Sequence, residues 1–140
     1  LHAAIGLAQT EKADDYLKLR REHGQMYRER LEKIPGILLQ QPQADSFPSC
    51  WMNGLALTPE YGKNRKELLE YLKGQGIDTR LFFNGMHRQK ALADFGCDCS
   101  GEFPVSDFLA DNGFYLPSGS GLTEADIDRV CTLIRAFRNS

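Results

Sequence analysis

Apolar and polar positions alternate along this chain with a period that switches from about 3.6 residues to about 2 and back, and the switches mark its elements. From Leu1 to about Lys33 the spacing is helical. Ala13, Tyr16, Leu17, Met26, Tyr27, Leu31 and Ile34 form an interrupted apolar stripe, and charges fill the opposite face. Such a helix would span roughly 50 Å, more than a small domain is wide, so the pattern predicts a linking helix over about 1–33 with Gly24 as its bend. Pro35-Gly36 ends it, and a sheet-and-helix body follows over about 34–140.

Ile37 to Leu39 predicts a first short strand, and Ser49 to Leu57 a second. Neither face of the second is strongly polar, which places it centrally in a sheet. Asn64 with Glu67 three residues later reads as a capping box for a helix over Arg65 to Lys73, with Leu68, Leu69 and Leu72 facing the core. Gly76 to Gln89 gathers most of the reactive and ring-bearing side chains. Ile77, Thr79, Leu81 and Phe83 alternate with Asp78, Arg80 and Phe82, which predicts a buried strand. The turn dipeptide Asn84-Gly85 then delivers Met86, His87, Arg88 and Gln89 to a loop or first helical turn. Short helices are predicted over Gln89 to Phe95 and from Pro104 to Gly113, a last strand at Phe114 to Leu116, and a turn at Pro117 to Gly121. Thr123 and Asp126 box the final helix, whose Ile127, Val130, Cys131, Ile134 and Phe137 repeat at helical spacing. The elements describe a mixed α/β (α+β) body: a three- to four-stranded sheet covered mainly on one face by helices, with the long N-terminal helix attached.

That helix begins unusually. Ala3, Ala4, Ile5, Leu7 and Ala8 are apolar on every side, as in buried helices. The expectation is a missing domain or a partner subunit covering Leu1–Ala8; the alternative is a frayed, processed terminus.

Composition narrows the classes. The 140 residues fit one domain, and 41% hydrophobic with 26% charged residues is ordinary for a soluble globular protein. No apolar run approaches the ~20 residues of a membrane span, and no signal peptide is visible, so the expected location is the cytoplasm. A net charge of -2 argues against a broad nucleic-acid surface. Cys50, Cys97, Cys99 and Cys131 are scattered and read as reduced thiols, and Cys97-Asp98-Cys99 is too closely spaced for a zinc knuckle. A metal or redox role for Cys97, Cys99 and His87 stands as a minor alternative.

His87, Arg88 and Gln89 suit an anionic or hydroxyl-rich ligand, with a partly exposed loop histidine as the other reading. Arg80 is either a phosphate-binding arginine at a strand end or a surface ion-pair residue. Phe82 and Phe83 point to opposite faces, so one serves the core and the other is a stacking platform or a covered surface. Pro117 to Gly121 has no P-loop lysine, and Ser118 and Ser120 lack a nucleophile's framing. His2 and His23 read as structural or solvated.

Five ordered landmarks add a resemblance over essentially the full length: AAIGLAQ from Ala3, RERLEKIPGI from Arg28, GIDTRLFF from Gly76, MHRQ from Met86 and LPSGSGLTEADIDRV from Leu116. Together they resemble the C-terminal part of the DegT/DnrJ/EryC1/StrS family of pyridoxal-phosphate-dependent nucleotide-sugar aminotransferases, particularly its perosamine-synthase-like members. The resemblance implies the small domain of a fold-type I aminotransferase. In the complete enzyme a larger domain would precede it and supply the cofactor lysine and the aspartate facing the pyridine nitrogen. It further implies transfer of an amino group from glutamate to a keto-sugar carried on a nucleotide diphosphate. Arg80, Phe82, His87 and Gln89 would then face a nucleotide-sugar cleft at a dimer interface. No catalytic residue is expected in this chain, because Lys12, Lys18, Lys33, Lys63, Lys66, Lys73 and Lys90 all sit in polar contexts. The rival expectation is a free-standing, non-catalytic binding or oligomerisation module derived from that domain.

Overall fold

A computed structural model describes residues 1–140 as six α-helices around a four-stranded antiparallel sheet. The helices are α1 (His2–Thr10), α2 (Ala13–Leu31), α3 (Arg65–Gly74), α4 (Lys90–Asp94), α5 (Pro104–Asn112) and α6 (Glu124–Arg138). The strands are β1 (Ile37–Leu39), β2 (Asn53–Leu57), β3 (Arg80–Leu81) and β4 (Gly113–Leu116), ordered β1-β2-β4-β3.

The expected central position of the second strand holds: β2 lies between β1 and β4, with Leu57 opposite Ile37 and Leu55 opposite Phe114. Alternation along these strands gives the sheet two different faces. Leu55, Leu57, Phe114 and Leu116 point to one face and pack under Tyr27 and Leu31 of α2, Leu68 and Leu72 of α3, and Ile127, Val130, Cys131 and Ile134 of α6. This is the core, and burial of its apolar surface is what stabilises the fold. Its two fully buried tyrosines keep their hydroxyls satisfied, Tyr61 donating to the Ile134 carbonyl at 2.6 Å and Tyr27 to that of Pro117 at 2.9 Å. The other face carries Gly54, Ala56, Gly113 and Tyr115 and is crossed by α5.

Both capping boxes form as read. The Asn64 side chain accepts from the Glu67 amide and that of Thr123 from the Asp126 amide, each with the reciprocal bond in place. Arg30 ties α2 to the first turn of α6 through Asp128 and Glu124, the latter at 2.7 Å.

Three expectations change. The N-terminal helix is not continuous over 1–33. It breaks at Glu11 and Lys12, where the backbone ladder is interrupted between Thr10 and Ala13. Gly24 lies inside α2, which runs uninterrupted through it; a Cβ there would stand 2.8 Å from Cys50 Sγ, so glycine admits the close approach of a loop. The strand expected to be buried over 77–83 is reduced to Arg80–Leu81 at the sheet edge, with both residues exposed. Leu81 shares a face with buried Phe114 yet is 55% exposed at that edge. The second strand, expected from Ser49, starts only at Asn53, because Cys50 takes a positive φ of 49° that ends extended structure. No helix is long and apolar enough to cross a membrane.

Candidate functional site

Beyond β3 the chain turns under the open face of the sheet and is clamped there by α5. Phe82 starts this arrangement. Its amide donates to the Gly113 carbonyl, and its ring lies across Gly54 and Gly113, 4.4 Å from the Tyr115 ring centroid. A Cβ on Gly113 would meet Phe82 Cδ2 at 2.4 Å, so the ring occupies the space that a side chain there would need. Phe83 is 71% exposed, with its ring centroid 6.0 Å from that of the same Tyr115. The two phenylalanines therefore do not divide between opposite faces as expected: both rings approach Tyr115, Phe82 packed against the glycines and Phe83 largely open to solvent.

Met86–Arg88 then form one 3₁₀ turn. The His87 ring stacks on Phe103 at 4.6 Å, and its Nε2 lies 2.7 Å from Asp107 Oδ1 on α5. The side chain of His87 is only 14% exposed. Arg88 doubles the clamp, reaching Asp107 with Nε at 2.6 Å and both oxygens of Asp111 with its Nη atoms at 2.6 and 3.0 Å. This fork-to-fork hold pulls the Asp111 carboxyl below the usual range, the hydrogen bond from Arg88 being the main cause. Arg65 closes the assembly from below, donating to the carbonyls of Ala110 at 2.6 Å and Gly113 at 3.0 Å where α5 runs into β4. Burial there lowers the pKa of Arg65.

The four expected site residues therefore do not converge. Phe82 and His87 stand on the α5 side. Gln89 is exposed at the start of α4, with no hydrogen bond from its side chain to the helix. Arg80 is exposed, ion-paired to Asp78 at 3.1 Å, and lines a separate cleft of about 510 Å³ with Tyr115, Ser118, Asp126 and Arg129. The sequence reading missed Phe103, Asp107 and Asp111. Asp107 and Asp111 are one helical turn apart on α5, a spacing that puts two carboxylates on one face.

Metal and cofactor chemistry can be tested on the same geometry. No three His, Cys, Asp or Glu side chains converge in a way that could hold a metal, so Cys97, Cys99 and His87 do not form the cluster considered above. All four cysteines are unpaired, and burial pushes the Cys131 thiol up to about 12. A lysine that binds pyridoxal phosphate covalently works in a desolvated pocket. Six of the seven lysines are exposed, Lys66 and Lys90 paired with Glu70 and Asp94, and half-buried Lys63 lies over the Phe137 ring with its ammonium on the Ser140 carbonyl. None of the seven lysines stands in such a desolvated pocket in this structure.

A family model described as the DegT/DnrJ/EryC1/StrS aminotransferase family matches residues 1–135. The GDP-perosamine synthase of Vibrio cholerae is 29% identical over 139 residues, 99% of this chain and 37% of that protein. The dTDP-4-dehydro-2,6-dideoxy-D-glucose 3-dehydratase of Saccharopolyspora spinosa is 30% identical over 138 residues, 98% of this chain and 30% of that protein. In structure, S. venezuelae DesV, crystallised in complex with a ketimine intermediate, superposes with a TM-score of 0.86 at 24% identity, over 99% of this chain and 36% of that one. The chain thus spans about a third of the length of the relatives it matches.

Proposed function

The chain belongs to the DegT/DnrJ/EryC1/StrS aminotransferase family, and from that premise we propose that it is the C-terminal domain of a pyridoxal-phosphate-dependent aminotransferase acting on a nucleotide-linked keto-sugar. The family correspondence through residues 1–135, against relatives about three times as long, carries this reading. In it the cofactor and its lysine reside in a larger domain, and the group supplies the amino-transfer chemistry when bound there. The residues of this chain bind and orient. Phe82 and Phe83 give an aromatic wall. Asp107 and Phe103 hold His87 in one ring orientation, and exposed Arg80 and Gln89 offer donors to the diphosphate and sugar hydroxyls. The apolar helix α1, none of whose residues is buried, is covered by the larger domain or by a second copy in a dimer.

The test is genetic, then kinetic. The gene should encode, ahead of Leu1, a domain of roughly 200 residues containing a lysine that binds the cofactor. In that full-length enzyme, Arg80→Ala and His87→Ala should each raise KM for the nucleotide sugar about tenfold while the cofactor spectrum stays unchanged. A gene that opens at Leu1, or variants that lose cofactor, would overturn the assignment.

A further inference from the structure

Cys97 and Cys99 are the reactive side chains that the reading above leaves without a role. They lie one residue apart on the loop that joins α4 to α5, Cys97 exposed and Cys99 half-buried. The other two cysteines are committed to packing. Cys50 rests its sulfur against Gly24 of α2, and Cys131 is buried in the core. The loop itself is short and held at both ends. At its entrance Gly96, with φ at +87°, gives its amide to the Ala93 carbonyl at 3.0 Å, and Cys97 gives its own to that of Leu92 at 3.0 Å. This fixes the backbone of Cys97 against the end of α4. At the exit Gly101 lies against Phe103: a Cβ there would meet the ring at 2.9 Å, and the ring stacks on His87 at 4.6 Å.

Between these anchors Asp98 Oδ1 accepts from the Ser100 amide at 3.0 Å and from its hydroxyl at 2.6 Å, a side-chain turn that bends the chain around Cys99. The bonds from Ser100 hold the Asp98 carboxyl below the usual range and commit it to Ser100. Both sulfurs stay free of it. Of the four thiols only that of Cys50 hydrogen-bonds, to the Pro48 carbonyl. Reach then decides what the pair can do. Two residues of chain separate the α-carbons by at most about 7 Å, and a bend brings that into the roughly 4.4–6.8 Å that a disulfide spans. A structural metal needs more ligands than two, and no third His, Cys, Asp or Glu side chain converges with them. Thiol–disulfide exchange is the chemistry left to two accessible, uncommitted thiols. A bond closed over a single intervening residue makes a small, strained ring, and strained or exposed disulfides are the readily reduced ones.

We propose that Cys97 and Cys99 form a reversible dithiol–disulfide redox site, oxidised by small-molecule disulfides and reduced by small thiols. The thiolate of Cys97, the more exposed of the two, attacks one sulfur of the small disulfide. That S–S bond breaks, and half of the reagent leaves as a thiolate that takes up the proton Cys97 lost. Cys99, deprotonated in turn, attacks the Cys97 sulfur and the second half leaves as a thiol. Two electrons pass from the pair to the reagent, and two small thiols are released.

The 140-residue chain is equilibrated in mixtures of glutathione and glutathione disulfide, quenched with acid, alkylated in denaturant and analysed by peptide mass. The segment bearing Cys97 and Cys99 should lose two hydrogens and take no alkyl group. The ratio of its oxidised to reduced form should rise with the disulfide and fall with the square of the thiol, while Cys131 stays alkylated. Cys99→Ser should stop at one glutathione on Cys97. Cys97→Ser should take up glutathione on Cys99 about tenfold more slowly, because that thiol is less exposed. Two free thiols in excess glutathione disulfide, or two glutathiones on the wild-type segment with no internal bond, would each overturn the proposal. So would a Cys99→Ser chain that carries no glutathione, or a Cys97→Ser chain that reacts as fast as Cys99→Ser.

Discussion

Asp107 orients His87: its Oδ1 stands 2.7 Å from the imidazole Nε2, across twenty residues of sequence. An ionised carboxylate only accepts, so Nε2 carries the hydrogen in this pair. The same oxygen takes Arg88 Nε at 2.6 Å, so one carboxylate positions both side chains. Asp107→Ala should cost about 1–2 kcal/mol in urea unfolding, the range for losing hydrogen bonds to a partly charged cluster. Nitrogen NMR should show the Nε2–H tautomer in the wild type and a mixture in the variant. Asp107→Asn, whose amide oxygen still accepts, should restore the single tautomer. A single tautomer in Asp107→Ala would show that Asp107 does not set it.

Gly36 is the position where a methyl group should do most harm. Its φ is +82°, and an added Cβ would stand 2.0 Å from the backbone nitrogen of Tyr61, an atom that cannot rotate away. Gly36→Ala should therefore lose at least about 3 kcal/mol, combining left-handed strain with displacement of backbone. Gly62 is the control, because its φ of +80° is similar but nothing lies within 4 Å of the added atom. Gly62→Ala should lose only about 1–2 kcal/mol. Equal losses in chemical denaturation would show that strain alone decides both.

How much of this was legible in the sequence depended on whether the determining contacts were local. The capping boxes of Asn64 and Thr123 are three-residue patterns, and the even hydrophobicity of β2 reports a strand covered on both sides; all were readable. The position of β3 was not. Alternation along Ile77 to Phe83 assigns side chains to faces, but it cannot say whether a helix reaches over the edge where Leu81 sits. The packing role of Gly24 was hidden for the same reason. A glycine within a helix signals flexibility when only its neighbours are visible, and its actual cause is Cys50, folded onto it from twenty-six residues away. Asp107 and Asp111 carried a helical-turn spacing, yet nothing local tied them to His87 and Arg88.

Alkali should unfold this protein through its core. Burial raises Cys131 from its ordinary value near 9 to about 12 and Tyr61 from 10 to about 12. Both groups are neutral when protonated and hold that proton more tightly in the folded state. Their contribution to stability is complete below the unfolded values and is lost as pH rises from about 9 toward 12. Unfolding midpoints should fall across that window, and Cys131→Ala should flatten its lower part at the cost of a small cavity. At neutral pH a thiol reagent should modify exposed Cys97 rapidly and Cys131 only on unfolding. Fast labelling of Cys131 in the native chain would contradict its burial.

The first helix gives the sharpest separation between stability and association. Ile5 and Leu7 are 55% and 62% exposed, no residue of α1 is buried, and the break at Glu11 and Lys12 separates α1 from the helix that packs on the core. Apolar area that is already in water contributes nothing to folding of the isolated chain. Ile5→Glu with Leu7→Glu should therefore shift the unfolding free energy by no more than about 0.5 kcal/mol. The same pair should abolish any concentration-dependent self-association seen by sedimentation, because a charge on a covered apolar face is costly to bury. A drop of several kcal/mol in the dilute monomer would mean that α1 packs on its own domain, and undiminished association would mean that the chain assembles through another face.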